Sequence, residues 1–386
     1  MRCLRTAGAA HRRFRPRLLV AAAAALAAAG LLAALSACTA AKPAAGPPRA
    51  SWYQLASGIF QPIARPDAGV SVAHRPWTVQ SRVADMAFLG DSLYCAVNGS
   101  GLATISLDAA GTPAFSYHAD SLIFAHRTIT TLVPRQGTLA VHLYYNALLN
   151  DAPQQDLAIA GICLVSYLPA QSDYSFIIPP FQRKNPDWEA VGFAPVSGSQ
   201  FDFEWKFTDS SETRFAYTRY HVDTQEEEKE TRDAYLAALG VPTISGAGVP
   251  RGLAAFFDAC RRSMPVPPEG TSLQFVIRSR DGSPRRIYRS VQESDAAVVA
   301  AGFEEAGALL ALLPGGHVLS APAGAAAVTI DLPALPPGFR YTDLVKAGDF
   351  LVVPWEESSF TDVGRAGIML FRLDGEQRPP AGSKSS

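Results

Sequence analysis

A short pattern recurs along this chain, and it limits the folds open to the polypeptide. Each copy has an extended apolar segment, a glycine-containing turn, and then a second, strongly apolar segment. The segments are short and rich in β-branched and aromatic residues, as strands are, and glycine tolerates the positive φ of tight hairpin turns. The pattern therefore predicts five antiparallel hairpins. They span residues 83–97, 129–144, 190–205, 297–313 and 341–353.

The spacing of the copies predicts how the hairpins are assembled. The first two begin at residues 83 and 127 and the last two near 296 and 341, so both pairs are 44–45 residues apart. A further strand follows most copies. A period of about 40–45 residues with four short strands per unit is typical of propeller blades, while a large β-sandwich is the alternative. Because the turn has the same place in each copy, we expect an all-β, β-propeller-like body with five to seven blades.

Residues 223–263 interrupt the pattern and predict a small helical insertion. Asp223 is a suitable N-cap, and Glu226–Glu228 would then lie in the first turn, where the helix dipole favours acids. The apolar run that follows ends at Gly240, a typical C-terminal signal. A second short helix fits residues 251–262.

The N-terminal segment has the properties of an export signal. Six arginines and no acids precede an apolar run over residues 18–35, and small residues follow it. This order of a positive, an apolar and a small-residue region is typical of a secretory signal peptide. An uncleaved membrane anchor is the alternative, but eighteen helical residues span only about 27 Å, less than a typical hydrocarbon core of about 30 Å.

The run ends in Leu35-Ser36-Ala37-Cys38, which resembles the lipobox of bacterial lipoproteins. The resemblance implies a fatty-acylated (palmitate-type) Cys38 and removal of residues 1–37 as a signal peptide. It also implies a cell-envelope protein that a lipid anchors to a membrane, at the outer membrane or facing the periplasm. Residues 38–50 would then be the lipidated cysteine with a Pro/Ala-rich tether, 51–374 the propeller-like body, and 375–386 a disordered tail.

Charge and cysteine content exclude several classes of function. The chain has 34 basic and 35 acidic residues, and loss of the six arginines in residues 1–37 leaves 28 basic ones. No basic face is evident, so we expect no nucleic-acid partner. Cys95 and Cys163 lie in apolar runs and are interpreted as small buried strand residues. Histidine and cysteine spacing offers no metal site, and we expect no metal and no cofactor.

The densest group of polar residues lies near the C-terminus, after the last predicted hairpin. Loops and strand ends carry the ligand sites of propellers. Trp355, Glu356 and Arg365 are therefore the candidate ligand-binding residues, for a sugar or a peptide group. The alternative is that Trp355 packs between blades while Glu356 and Arg365 form an ion pair that holds the loop.

Catalytic motifs are missing from the sequence. It contains no nucleophile elbow, phosphate-binding loop, zinc-protease motif or dinucleotide fingerprint, so no catalytic residue is assigned. We expect a non-catalytic envelope lipoprotein that binds a protein or glycan partner, with a glycoside hydrolase on a propeller scaffold as the alternative. Such an enzyme needs two carboxyl groups across the scissile bond. The strand-proximal acids that could supply them are Asp85, Asp202, Glu204, Asp343 and Glu356.

Overall fold

The structure is a computed structural model, and its described residues, all between 49 and 373, belong to one compact unit. The predicted signal peptide, Cys38, most of the tether and the C-terminal tail lie outside the residues that the structure describes. The described residues are 49–67, 82–108, 111–119, 121–124, 127–145, 163–197, 199–238, 256, 260, 272–281, 286–290, 297–313, 315–321, 327–357 and 365–373.

Three four-stranded antiparallel sheets follow one another along the chain, and we call them blades 1 to 3. Each is a meander in which neighbours in sequence are neighbours in the sheet. Blade 1 consists of strands β3 (Val83–Leu89), β4 (Ser92–Val97), β5 (Gly101–Leu107) and β6 (Pro113–His118). Blade 2 consists of β7 (Arg127–Arg135), β8 (Thr138–Tyr145), β9 (Leu164–Leu168) and β10 (Asp173–Ile177). Blade 3 consists of β11 (Glu189–Pro195), β12 (Gln200–Thr208), β13 (Thr213–His221) and β14 (Glu226–Glu230).

The fourth sheet, blade 4, has six strands and one unusual pairing. The strands β15 and β17 run parallel, whereas every other strand pair in the described residues is antiparallel. The hairpin of β15 and β16 is thereby joined to the meander that begins with β17. The six strands are β15 (Ser272–Ser279), β16 (Arg286–Ser290), β17 (Ala297–Glu305), β18 (Ala308–Leu313), β19 (His317–Ala321) and β20 (Val328–Asp331).

The fifth sheet, blade 5, joins the two ends of the described chain. Its strands are β21 (Phe339–Tyr341), β22 (Val345–Ala347), β23 (Phe350–Glu357), β24 (Ala366–Arg372), β1 (Ala50–Ala56) and β2 (Ile59–Ile63). Strand β1 pairs with β24. The two strands approach closely at Gly367, where an added Cβ would lie 1.9 Å from the carbonyl oxygen of Tyr53. Glycine is therefore needed at the point where the two ends of the chain meet.

These sheets confirm the expected all-β, propeller-like fold, and their number agrees with the expected five to seven blades. All five predicted hairpins are present, although the chain leaves the ladder at Thr342–Leu344, between β21 and β22. Apolar side chains between neighbouring sheets form the core. One large cluster joins blades 4, 5 and 1, and smaller ones join blade 1 to blade 2 and blade 2 to blade 3.

The prediction of a helix that starts at Asp223 is wrong. Residues Glu226–Glu230, four acids and Lys229, form β14, the outer strand of blade 3, and the described helix in this region covers Arg232–Ala238. Two shorter helices are Ser121–Phe124 and Pro180–Lys184. Of the second predicted helix, Phe256 and Cys260 are described and are helical, and the rest lies outside the described residues.

Cross-strand contacts explain why the acid run is a strand. The Glu227 carboxylate accepts hydrogen bonds from Thr218 Oγ1 at 2.6 Å and from the backbone N–H of Phe181. Glu230 lies 3.3 Å from the Arg219 guanidinium. The contacts with Thr218 and Arg219 come from the neighbouring hairpin strand and the contact with Phe181 from 46 residues away, and together they override the helix propensity of glutamate. Charged side chains on an outer strand also discourage pairing with other sheet edges.

Candidate binding site

A cavity of about 1010 Å³ opens at the end of the blades where β3 and β7 begin. Its wall combines short segments from blades 1, 2, 4 and 5, together with the loop that leads into β21. The lining segments are Arg82–Ala84, Thr128–Thr130, Ala301, Leu312–Leu313, Gly315–Gly316, Ala334–Thr342 and Glu356. Convergence of strand ends and loops from several blades is where propellers place their ligand sites.

The charged residues of this cavity are Arg82, Arg340 and Glu356. Arg340 lies opposite Glu356 across the β21–β23 pair and donates two hydrogen bonds to Oε1, from Nε at 2.9 Å and from Nη2 at 2.6 Å. Arg82 Nη1 lies 3.9 Å from the other oxygen, Oε2. The Glu356 side chain is 10% exposed, whereas those of Arg340 and Arg82 are 64% and 42% exposed. One nearly buried carboxylate therefore holds two guanidinium groups that still face solvent. We call these three residues the rim cluster.

Of the three candidate ligand-binding residues, the structure places only Glu356 at the cavity. Trp355 points to the opposite side of β23, because successive strand residues alternate between faces. Trp355 is 1% exposed, and the centroid of its ring lies 5.9 Å from that of the Phe339 ring. Arg365 also lies away from Glu356 and pairs with Glu357, at 3.2 Å between Nε and Oε2. Glu357 points to the opposite face of β23 from Glu356, and it is Glu357 that Arg365 binds. The alternative of a Glu356–Arg365 ion pair is therefore wrong.

Arg365 is nearly buried, and its contacts suit it to holding neighbouring segments together. Its guanidinium lies over the Phe339 ring, 5.0 Å from the centroid, and donates to the carbonyl oxygen of Asp67. The Arg365 side chain is only 7% exposed. A guanidinium this closely surrounded is well suited to holding the end of β23 against β24 and the Asp67 segment.

Two of the five candidate catalytic acids converge on one residue that the sequence did not single out. Asp85 lies in β3 and Asp343 lies just before β22, and both bind the Arg278 side chain, which comes from β15. Arg278 Nε donates to Asp85 Oδ1 at 2.9 Å, and Arg278 Nη1 donates to Asp343 Oδ1 at 2.6 Å. The side chains of Arg278, Asp85 and Asp343 are 13%, 2% and 9% exposed, respectively. We call Arg278, Asp85 and Asp343 the central cluster, since together they join blades 1, 4 and 5.

Backbone groups complete the central cluster. Asp85 Oδ2 accepts the N–H of Leu132 in β7 at 2.7 Å, and Asp343 Oδ1 accepts the N–H of Leu344 at 2.8 Å. Burial opposes the charge on Arg278, but the carboxylates of Asp343 and Asp85 outweigh it and raise the pKa of the guanidinium above its usual value. Both carboxylates are thus committed to a buried cation, which leaves neither as a free acid or nucleophile.

The remaining two candidate acids are likewise engaged within blade 3. Asp202 is fully buried and accepts a two-pronged contact from Arg219, at 2.7 and 2.9 Å. Glu204 accepts a hydrogen bond from the Tyr217 hydroxyl at 3.0 Å. No group of three or more potential metal ligands occurs among the described residues. Cys95 and Cys163 are buried, as expected, and both are free thiols; burial raises the pKa of the Cys163 thiol to about 12.

Residues 42–375 match a family whose description is "Family of unknown function (DUF8086)". The chain belongs to that family. No curated protein sequence matches this chain. Among the described residues of this family member, no helix has the length and apolar character needed to cross a membrane.

Several solved structures are similar to this family member at low identity. A polysaccharide lyase, Uly1, is 8% identical with a TM-score of 0.36, covering 80% of this chain and 94% of the lyase. YCF48 bound to a D1 peptide is 12% identical with a TM-score of 0.30, covering 80% and 99%. The PQQ domain of pyranose dehydrogenase from Coprinopsis cinerea is 11% identical with a TM-score of 0.25, covering 76% and 94%. At these values the likenesses carry no conclusion about activity.

Proposed function

We propose that this protein is a lipid-anchored, non-catalytic binding protein of the bacterial cell envelope, and that its glycan or protein ligand occupies the cavity. The observation that carries the proposal is the cavity itself. Its volume of about 1010 Å³ lies at the upper end of the range of about 300–1,000 Å³ for ligand sites. Its wall combines apolar segments with a small number of polar groups, as ligand sites do.

Binding fits the disposition of the acids better than hydrolysis does. A glycoside hydrolase needs one carboxyl group to donate a proton and a second to act as nucleophile or base. Asp85 and Asp343 are near one another, but Arg278 lies between them and holds both. At the cavity Glu356 is the one carboxylate among the described lining residues, and its Oε1 already accepts two hydrogen bonds from Arg340.

The proposed anchor rests on the Leu-Ser-Ala-Cys38 motif at the end of an apolar run. Two or three acyl chains, at about 0.8 kcal/mol per buried CH₂, give stable attachment where a single chain gives only marginal binding. Labelling with a radioactive fatty acid in the native host should mark the wild-type protein and not Cys38→Ala. Equal labelling of both proteins would contradict the anchor.

The cavity is tested with a variant that fills it. Ala334 lines the cavity in an exposed stretch of loop, so Ala334→Trp narrows the opening without replacing a core residue. The matched control is Ala114→Trp, on the exposed side of the outer strand β6. The purified full chain in detergent is offered fractionated envelope glycans and proteins. We expect a retained fraction that Ala334→Trp loses and Ala114→Trp keeps.

Two results would overturn the proposal. One is retention that is equal in the wild type and in both tryptophan variants, which would put the ligand outside the cavity. The other is turnover of an aryl glycoside or envelope polysaccharide that disappears in Glu356→Gln. That second result would instead establish the hydrolase.

A further inference from the structure

We infer that the ligand of this cavity is an acidic glycan, and that its anionic group, a carboxylate or a sulfate ester, binds between Arg82 and Arg340. The inference rests on the proposed function, because it names the class of ligand for the same cavity. It follows from the charge, the available donors and the architecture of the rim.

The first observation is an excess of positive charge. Among the residues that the structure describes, the cavity lining has two arginines against one carboxylate and no other charged residue, so the formal charge of this lining is +1. The whole chain has a formal net charge of −1, and residues 38–386 have seven more acids than bases. A cavity with low-dielectric walls focuses the field of its charges. A positive cavity in an acidic protein therefore selects anions over cations and neutral ligands.

The second observation is that the rim cluster has donors with no acceptor among the described residues. Arg340 directs both Nε and Nη2 to the same oxygen of Glu356, so its Nη1 group is left for another acceptor. Arg82 lies 3.9 Å from Glu356, which is too long for a hydrogen bond. Both side chains are more than 40% exposed. Guanidinium groups bind carboxylates and related oxyanions through paired N–H donors.

The third observation is that Glu356 organises this arrangement before any ligand arrives. Its carboxylate is nearly buried and holds the Arg340 fork in one orientation, so less side-chain entropy is lost on binding. The second oxygen, Oε2, has no hydrogen bond from the described residues and faces Arg82. It can accept a hydrogen bond from a sugar hydroxyl beside the anionic group.

The architecture favours a glycan over an acidic peptide. Peptides commonly add a strand to an exposed sheet edge. In the described residues of blades 1, 2 and 3 the solvent-side edges are β6, β10 and β14, at the opposite end of each strand order from β3, β7 and β11. The cavity is built instead from strand ends and loops, with Thr128 and Thr342 as additional polar lining residues. A polyhydroxylated ligand suits this mixture of hydroxyl, carboxylate and guanidinium groups.

The experiment is calorimetric titration of the full chain in detergent with oligogalacturonate and with the same oligosaccharide after carboxyl reduction. A sulfated dextran oligomer distinguishes the two possible anionic groups, and polyglutamate tests a peptide. We expect at least one acidic glycan to bind, with affinity that falls as salt rises. Arg82→Gln and Arg340→Gln should each weaken binding at least about tenfold, as loss of charged hydrogen bonds does.

Arg214→Gln is the matched control, because Arg214 is 54% exposed and pairs with Glu212 in blade 3, remote in sequence from the cavity segments. It should bind like the wild type. Equal affinity for the acidic and the reduced oligosaccharide, abolished by Ala334→Trp, would overturn this inference and leave the proposed function standing. Tighter binding of polyglutamate than of any glycan would overturn the choice of ligand class. Failure of every probe, with an envelope fraction still retained through the cavity, would overturn it as well.

Discussion

The central cluster and the rim cluster use the same two chemical groups with opposite results. In the central cluster one guanidinium lies between two carboxylates, all three side chains are at most 13% exposed, and the contacts are 2.5–2.9 Å long. In the rim cluster one carboxylate lies between two guanidinium groups that are 64% and 42% exposed. The first arrangement is closed to further ligands, and the second is open.

The difference teaches that two properties decide whether an ion cluster stabilises the fold or binds a ligand. One is its burial, and the other is whether carboxylates or guanidinium groups are in excess. A buried charge is strongly destabilising when its partner is removed, so the central cluster must remain complete. Exposed pairs contribute little to stability, typically about 0–1 kcal/mol, so the rim cluster can exchange partners. We therefore assign stability to Arg278 and binding to Arg82 and Arg340.

The largest expected effect is on the central cluster. Arg278→Leu leaves the carboxylates of Asp85 and Asp343 buried without their cation, and removal of one partner of a buried pair costs about 3–5 kcal/mol. Urea denaturation followed by circular dichroism measures the loss. Arg214→Leu, at an exposed pair, should change the free energy of unfolding by no more than about 0.5 kcal/mol. Equal losses in the two variants would contradict the assignment.

A triple variant tests whether the loss comes from uncompensated charge. In Asp85→Asn/Arg278→Met/Asp343→Asn all three formal charges are absent, and an asparagine oxygen can still accept a backbone N–H. Replacing a whole buried ion cluster by neutral groups is often close to neutral for stability. We expect the triple variant to recover at least about half of the free energy that Arg278→Leu loses. A triple variant less stable than the single one would show that geometry, and not charge, is decisive.

Much of the fold could be predicted from the sequence, because each hairpin is local. The turns at Gly90 and Gly348, for example, each join strands that are adjacent in the chain, and the alternation of apolar residues gives their faces. The pattern at Glu226–Glu228 predicts a helix start because glutamate favours helices, and the hydrogen bond from the Phe181 backbone that favours the strand comes from 46 residues away. That long-range contact leaves no local pattern.

The site was only partly predictable for the same reason. Arg278 is 193 residues from Asp85, so nothing near either residue indicates the pair. Arg340 could have been found by extending the predicted hairpin at Gly348. Its register pairs Val345 with Val352, and continuing it places Arg340 opposite Glu357. The observed partner is Glu356, because the ladder shifts by one residue where the chain leaves it.

A smaller effect is expected when the rim carboxylate is removed. Glu356→Gln raises the formal charge of the cavity from +1 to +2, and it also removes the carboxylate that holds the Arg340 fork in one orientation. Because Arg340 is mostly exposed, the free energy of unfolding should fall by less than about 1 kcal/mol. Affinity for the acidic oligosaccharide at low salt should fall less than in Arg340→Gln, because the added positive charge offsets the lost orientation of the fork, and its dependence on salt should become steeper. Titration at two salt concentrations checks this, and an affinity loss as large as that of Arg340→Gln would contradict it.

The smallest effect concerns Glu227 in β14. Its half-buried side chain is intermediate in exposure between the central cluster and the exposed arginines of the rim cluster. Burial raises its pKa above the usual value, although hydrogen bonds from Thr218 and Phe181 oppose the change. The folded state therefore holds the proton more readily than the unfolded chain. The contribution of this carboxyl to stability is fully present below the unfolded pKa, near 4.5, and declines as pH rises through the raised value.

Glu227→Gln does not titrate, so it isolates this contribution. The free energy of unfolding of the wild type minus that of Glu227→Gln should become smaller between about pH 4 and pH 7. Urea denaturation at the two pH values measures the difference. Glu226→Gln, on the exposed side of β14, is the control and should show no such change. A difference that grows with pH would reverse the sign and contradict the account.

The separation of stability from binding is tested most directly by measuring both quantities on Arg278→Leu and Arg340→Gln. Each variant is assayed by urea denaturation and, under conditions where it is folded, by titration with the acidic oligosaccharide. The account predicts that Arg278→Leu loses stability and keeps wild-type affinity, while Arg340→Gln loses affinity and keeps wild-type stability. If both variants lose both properties to similar extents, the two clusters act as one unit and the central claim is wrong.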